Sequence, residues 1–130
     1  MRNLNKKIGE MEYDGLIADL TPCAEVHGGT IAALDKETQI KRGTILAKSA
    51  SDGKLYVLGT EAASGDTLTP DSILCDDVIV GTSDDMDVLI YTAGCFNTNK
   101  VIVADGYTIT ADDIDQLRKY SIVFKAEFTN

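Results

Sequence analysis

Cys23 and His27 stand four residues apart. On a helix that spacing puts both side chains on one face, where an imidazole can take a thiol proton or both groups can ligate a metal. A zinc site gathers four ligands, usually several of them Cys or His, at about 2.0–2.3 Å. This chain has a single His, and Pro22 and Gly28 oppose a helix between them. No spacing supplies a residue to orient the imidazole, and no oxyanion motif accompanies the pair. The expectation is no catalytic group, no metal and no cofactor.

Carboxylates come in adjacent pairs, Asp76–Asp77, Asp84–Asp85 and Asp112–Asp113, which would suit a cation or acid–base work if they converged. Neighbours on a strand point to opposite faces, so Asp76 and Asp77 are not expected to meet. Asp84 and Asp85 fall in a turn. Asp112 and Asp113 suit the positive end of a helix dipole. No EF-hand spacing and no Walker loop is present, so a solvated surface is the expected role of all three pairs. Cys75 and Cys95 lie in apolar strand contexts and read as core.

The elements that must position these residues start with Ile73 to Phe96. It reads as an apolar run over 73–80, a polar turn from Gly81 to Asp85, and a second apolar run over 86–96. Val, Ile and Tyr suit a pleated surface, so an antiparallel strand pair is expected. In the second run Met86, Val88 and Ile90 fall on one face, and Asp87, Leu89 and Tyr91 on the other. Thr44–Lys48 and Lys54–Leu58 flank Ser51-Asp52-Gly53 and read as a hairpin. Residues 59–72, rich in Gly, Ala, Ser, Thr and Asp with one Pro, read as a loop. Gly28-Gly29 reads as a turn. Thr30–Leu34 reads as a strand or the start of a helical turn, and Val101–Val103 as a short strand.

One helix is expected from Ala111 to Tyr120. Thr110 is its N-cap, and Asp113 three residues on makes a shortened capping box. Ile114 and Leu117 share its apolar face. Ser121–Lys125 reads as a closing strand. Residues 1–12 carry little apolar surface to offset ordering entropy. They are either a frayed terminus or an arm that orders on a partner. Pro22 lacks an amide hydrogen, so the region near it belongs at a sheet edge or in an extended tether.

The chain of 130 residues is long enough for one domain with a core. The fold class is mainly β (α+β): a compact β-rich domain over 19–130 with one short C-terminal helix, preceded by an extended N-terminal arm over 1–18. A net charge of −9 opposes direct binding to nucleic acid or to an anionic membrane. No stretch approaches the roughly 20 apolar residues that span a bilayer, and no secretory signal opens the chain. Three cysteines cannot all pair internally and none forms a CxxC, which reads as reduced thiols in an intracellular compartment or a particle assembled there.

Six segments in order carry a resemblance: Tyr13–Ala18, Lys41–Leu46, the Asp52-Gly53-Lys54 turn, Ile73–Val78, Tyr91–Asn97, and Ala111–Ile114 with Leu117-Arg118. From about Tyr13 to Lys125 the chain resembles the lambda-type head decoration proteins of tailed phages. The resemblance implies a non-enzymatic cement protein. Such a protein would be made in the host cytoplasm and placed on the outer capsid surface of the virion. It would form a homotrimer, bind the major capsid protein after head expansion, and hold the shell against packaged DNA. It also implies that an N-terminal segment orders on the capsid as an added strand, here through Met11, Tyr13, Asp14, Leu16, Ile17 and Ala18. Leu16 and Ile17 have a second reading, as residues of the domain's own core. Two other functions compete: a tail or fibre module of similar β build, and a small enzyme using Cys23 and His27.

Overall fold

Strand β8, Met86–Asn97, is the spine around which the other elements are laid. The computed structural model describes residues 16–19, 23–62 and 64–125. The first half of β8 pairs antiparallel with β2, Glu25–Ile31, with Gly28 opposite Leu89 and Ile31 opposite Met86. On its other edge Tyr91 and Ile90 face Ile73 and Leu74, the end of β6, Leu68–Leu74. Its last residues carry β1, Ile17–Asp19, antiparallel on one side and β9, Ile122–Lys125, parallel on the other.

The hairpin of β4, Ile45–Ser49, and β5, Leu55–Val57, completes a closed ring. Strand β4 pairs with β6, and β5 touches β2 in parallel where Leu55 meets Ile31. The cycle β8–β2–β5–β4–β6 returns to β8. A separate two-stranded sheet holds β3, Thr38–Ile40, against β7, Val78–Val80. Helix α1, Ala111–Arg118, lies against β6 and β9.

Strand alternation sorts the apolar side chains into two cores. Leu46, Leu74, Val88 and Ile90 join Ile31 and Leu55, so every ring strand supplies the first, with Ile40 and Val80 from the small sheet. Ile45, Ile73 and Tyr91, on the opposite faces of the same strands, join Leu16, Phe96, Leu117 and Ile122 in the second. The expected alternation in β8 holds. Val88 and Ile90 are buried while Asp87 and Leu89 are exposed. Tyr91 is buried because the second core covers its face.

The β-rich class, the hairpin, the short helix and the closing strand match the sequence expectations. Thr110 Oγ1 accepts from the Asp113 amide at 3.1 Å, and the Asp113 carboxylate accepts from the Thr110 amide at 3.0 Å. Leu117 of α1 is fully buried. The helix ends two residues early, at Arg118, and Ser121 turns the chain with φ +69 into β9.

Several local expectations differ. The run 73–80 is two strands, not one. It breaks at Cys75–Asp77, and only its first part pairs with β8, while Val78–Val80 leaves to pair with β3. The 59–72 stretch is not all loop, since Leu68–Ser72 belongs to β6. Pro70 is tolerated because the β4–β6 register shifts beside it, Ala47 facing Pro70 and Leu46 facing Ser72. Gly28-Gly29 is mid-strand in β2 rather than a turn. A Cβ on Gly29 would lie 2.8 Å from Leu55 Cδ1 and 3.1 Å from Ile90 Cδ1, so a side chain there would push those core methyls aside. Thr30 and Ile31 end β2, and Ala32–Leu34 form no helical turn. The 101–103 strand reduces to one parallel bridge, Ile102 with Thr44.

Candidate functional site

The N-terminal segment joins the folded body at the far end of β8. Leu16 is 1% exposed and sits in the second core. Its carbonyl accepts from the Asn97 amide at 2.6 Å. Ile17 then lies opposite Phe96 and Asp19 opposite Cys95, with a register shift between them. One residue past the end of β8, the Thr98 amide donates to the Lys125 carbonyl at 3.2 Å. Strand β1 runs against β8 and β9 runs with it, so the start of one and the end of the other meet at Asn97–Thr98.

Beneath this joint the packing is aromatic and cationic. Phe96 is fully buried, its ring centroid 5.3 Å from that of Tyr91 at an interplanar angle of 55°. The Arg42 guanidinium lies 5.5 Å from the Tyr91 ring centroid, and its Nη1 donates to Tyr91 Oη at 2.7 Å and to the Cys75 carbonyl at 2.9 Å. The Arg42 amide donates to Asp77 Oδ1 at 2.7 Å. Arg42 thus links the segment Cys75–Asp77, where the strand run is interrupted, to β8. Asn97 is buried, and its Oδ1 accepts from the Asn99 amide at 2.9 Å, closing the turn after β8. Leu16 reaches under the loop between β3 and β4, where a Cβ on Gly43 would stand 3.3 Å from Leu16 Cδ1.

Of the expected arm residues, Leu16 is core, and Ile17 and Ala18 are half-buried at the root. The packed body therefore reaches back into the segment expected to be arm. Met11, Tyr13 and Asp14 lie outside the described residues, as do residues 1–12 and Pro22. Asn97 and Arg42 were not singled out by sequence. The available signal was a polar side chain directly ending an apolar run at Asn97, and a cation next to a glycine turn at Arg42.

Among the described residues no catalytic or metal-binding group forms around Cys23 and His27. The Cys23 thiol is exposed and turns to the Ala24 carbonyl at 3.7 Å, while His27 Nε2 stands 3.9 Å from Glu25 Oε1. Extended chain separates such residues by up to about 13 Å. Cys75 and Cys95 are buried. Burial, then the Asp76 charge, push the Cys75 thiol up to about 11 against the opposing pull of Arg42, so it stays protonated and unreactive at neutral pH. Among the described residues no three His, Cys, Asp or Glu side chains are grouped to hold a metal.

One member of each acidic pair is a structural tie. Asp77 holds the Arg42 amide. Asp113 caps α1 and accepts from the Tyr107 hydroxyl. Asp85 takes the Ala33 amide at 3.0 Å and Lys54 Nζ at 2.7 Å, tying the β7–β8 loop to the chain just after β2 and to the residue just before β5. Asp77 and Asp85 keep the exposed position expected of them while making these ties, and Asp113 is the capping-box residue the sequence predicts. No helix is long and apolar enough to cross a membrane among the described residues.

Residues 6–122 match the family described as Bacteriophage lambda head decoration protein D. No curated protein matches the chain.

Proposed function

The chain belongs to the bacteriophage lambda head decoration protein D family, and on that premise we propose that it binds the outer face of the expanded phage head as a homotrimer, bracing the shell against the pressure of packaged DNA. Its role is structural: it decorates the capsid. The family match over residues 6–122 carries this reading. Three copies joined in a ring would engage three capsid sites together, so modest contacts per copy become durable attachment through effective concentration. The acidic surface suits an exterior position, away from DNA.

In this reading the chain before Leu16 makes the capsid contact. Met11, Tyr13 and Asp14 would add as an extended strand to an exposed sheet edge of the major capsid protein. Ile17 and Ala18 form the root, and buried Leu16 is the anchor that transmits load into the body. A strand held at one end by a core residue has lost part of its ordering entropy before it binds, which favours docking.

Co-sedimentation with expanded, undecorated heads beside unexpanded proheads tests the proposal. Saturable binding to expanded heads alone, at a fixed ratio to the major capsid protein, is expected. Deleting residues 1–15 should abolish that binding while leaving a folded domain. Binding to neither particle overturns the decoration reading, and undiminished binding by the truncated chain overturns the arm.

A further inference from the structure

Two Asp–Gly steps lie among the described residues, Asp52–Gly53 and Asp105–Gly106; a third, Asp14–Gly15, lies outside them. Such a step can close on itself. The glycine nitrogen attacks the aspartate Cγ, the nitrogen loses its proton, and one water leaves to give a five-membered succinimide. Water then adds back at either ring carbonyl. Opening at one restores aspartate; opening at the other routes the main chain through the side chain as isoaspartate. One water is lost and one regained, with no oxidant, reductant or cofactor. Glycine favours the attack because no Cβ shields its amide.

The two steps form a matched pair. Asp52, Gly53, Asp105 and Gly106 are all exposed. Gly53 has φ +73 and Gly106 φ +82, and each has open space where a Cβ would stand. They differ in whether the reacting groups are already occupied. The Gly53 amide donates to the Ser49 carbonyl at 3.0 Å. Asp52 Oδ1 accepts from the Lys54 amide at 2.9 Å, and its Oδ2 from the Tyr56 hydroxyl at 2.9 Å. The Gly106 amide and the Asp105 carboxylate make no hydrogen bond or ion pair among the described residues. The turn around them is closed from outside the pair, by the Tyr107 amide on the Ala104 carbonyl at 3.0 Å.

We propose that Asp105–Gly106 is a site of spontaneous aspartate isomerisation in the folded protein, and that hydrogen bonding in the β4–β5 turn protects Asp52–Gly53 from the same reaction. The Lys54 amide first, and then the Tyr56 hydroxyl, also hold the Asp52 carboxyl below its ordinary range, and an ionised carboxylate is the poorer electrophile. At the open site the product would lengthen the main chain by one carbon. The insertion falls between the Ala104 amide, bonded to the Leu58 carbonyl, and Tyr107, whose hydroxyl reaches Asp113 at the start of α1. A structural protein that is not replaced accumulates such a change with age.

The full chain is incubated at neutral pH and body temperature, native and in concentrated urea. Isoaspartate is then quantified site by site by peptide mapping with electron-transfer fragmentation. In the native protein isoaspartate at 105 should exceed that at 52 several-fold, and in urea the two should converge. Tyr56→Phe should raise the native rate at 52, and Asp105→Glu should remove the signal at 105. Equal native rates, a faster reaction at 52, no native reaction at 105, or a ratio that persists unchanged in urea would each overturn the proposal; the last would assign the difference to flanking sequence.

Discussion

The amide of Asn97 donates to the carbonyl of Leu16 at 2.6 Å, so the N-terminal segment is fastened to the last residue of the longest strand. The bond sits over a side chain that is itself core. Leu16 belongs with Ile45, Ile73 and Phe96, and its burial makes the root of the segment part of the domain's stability.

Leu16→Ala should therefore destabilise the domain by about 2–5 kcal/mol, the usual range for truncating a buried leucine. Deleting residues 1–15 keeps Leu16 in the second core and should therefore destabilise the domain less than Leu16→Ala does. Urea unfolding of both variants checks this. A stable Leu16→Ala protein would show that the root contributes no core packing.

Tyr91 and Arg42 form the second tie under the joint. Tyr91→Phe keeps the ring against Phe96 but removes the oxygen that accepts from Arg42 Nη1. Losing this hydrogen bond from a charged donor should cost about 1–3 kcal/mol. Arg42→Lys should also destabilise, since one ammonium cannot reproduce the planar reach to both Tyr91 and the Cys75 carbonyl. Chemical denaturation of the two single variants and the double variant measures the coupling.

Ser72 presents the opposite case. Its hydroxyl is buried, and no partner satisfies it among the described residues. Ser72→Ala should leave stability unchanged or raise it by up to about 1 kcal/mol, because desolvating that oxygen is no longer required. A clear loss of thermal stability would mean that the hydroxyl has a partner, such as an ordered water.

Acid should weaken the fold through its turn carboxylates. Asp66 is held below its ordinary range by the Ser49 hydroxyl first, Asp85 by the Lys54 ammonium first, and Asp52 by the Lys54 amide first. A carboxylate depressed in the folded state contributes stability above its unfolded pKa of about 4, and loses it as pH falls through the lower folded value. Lys54, raised by Asp85, contributes fully below about pH 10 and is lost above that. Thermal midpoints should therefore hold steady from about pH 5 to 9 and fall below about pH 4. Asp66→Asn should flatten the acid limb. An acid limb of unchanged slope would remove Asp66 from its cause.

Some of this molecule was decided within a few residues of chain. Helix α1 starts where Thr110 and Asp113 can cap each other, and the β4–β5 hairpin turns where Ser51-Asp52-Gly53 permits it. Period-two patterning was enough to assign the faces of β8, and the ordered run of short segments was enough to carry the family resemblance, which the match over residues 6–122 bears out. These features rest on torsional preference, local hydrogen bonds and side-chain alternation, all of which a linear chain displays.

What tertiary structure alone decided depends on partners distant in sequence. Gly28-Gly29 is a strand because Leu89 and Val88 of β8 pair with it, and Leu68–Ser72 is a strand because β4 offers it an edge with a register shift at Pro70. The 73–80 run divides because Val78–Val80 pairs with β3 instead of β8. Asp85 became a tie only once Lys54 and Ala33 were brought beside it. The site divides the same way. An apolar cluster near the N-terminus marked the segment, but whether Leu16 served the core or a partner could not be read from its spacing. Burial is a property of what folds over a residue, and the second core folds over Leu16.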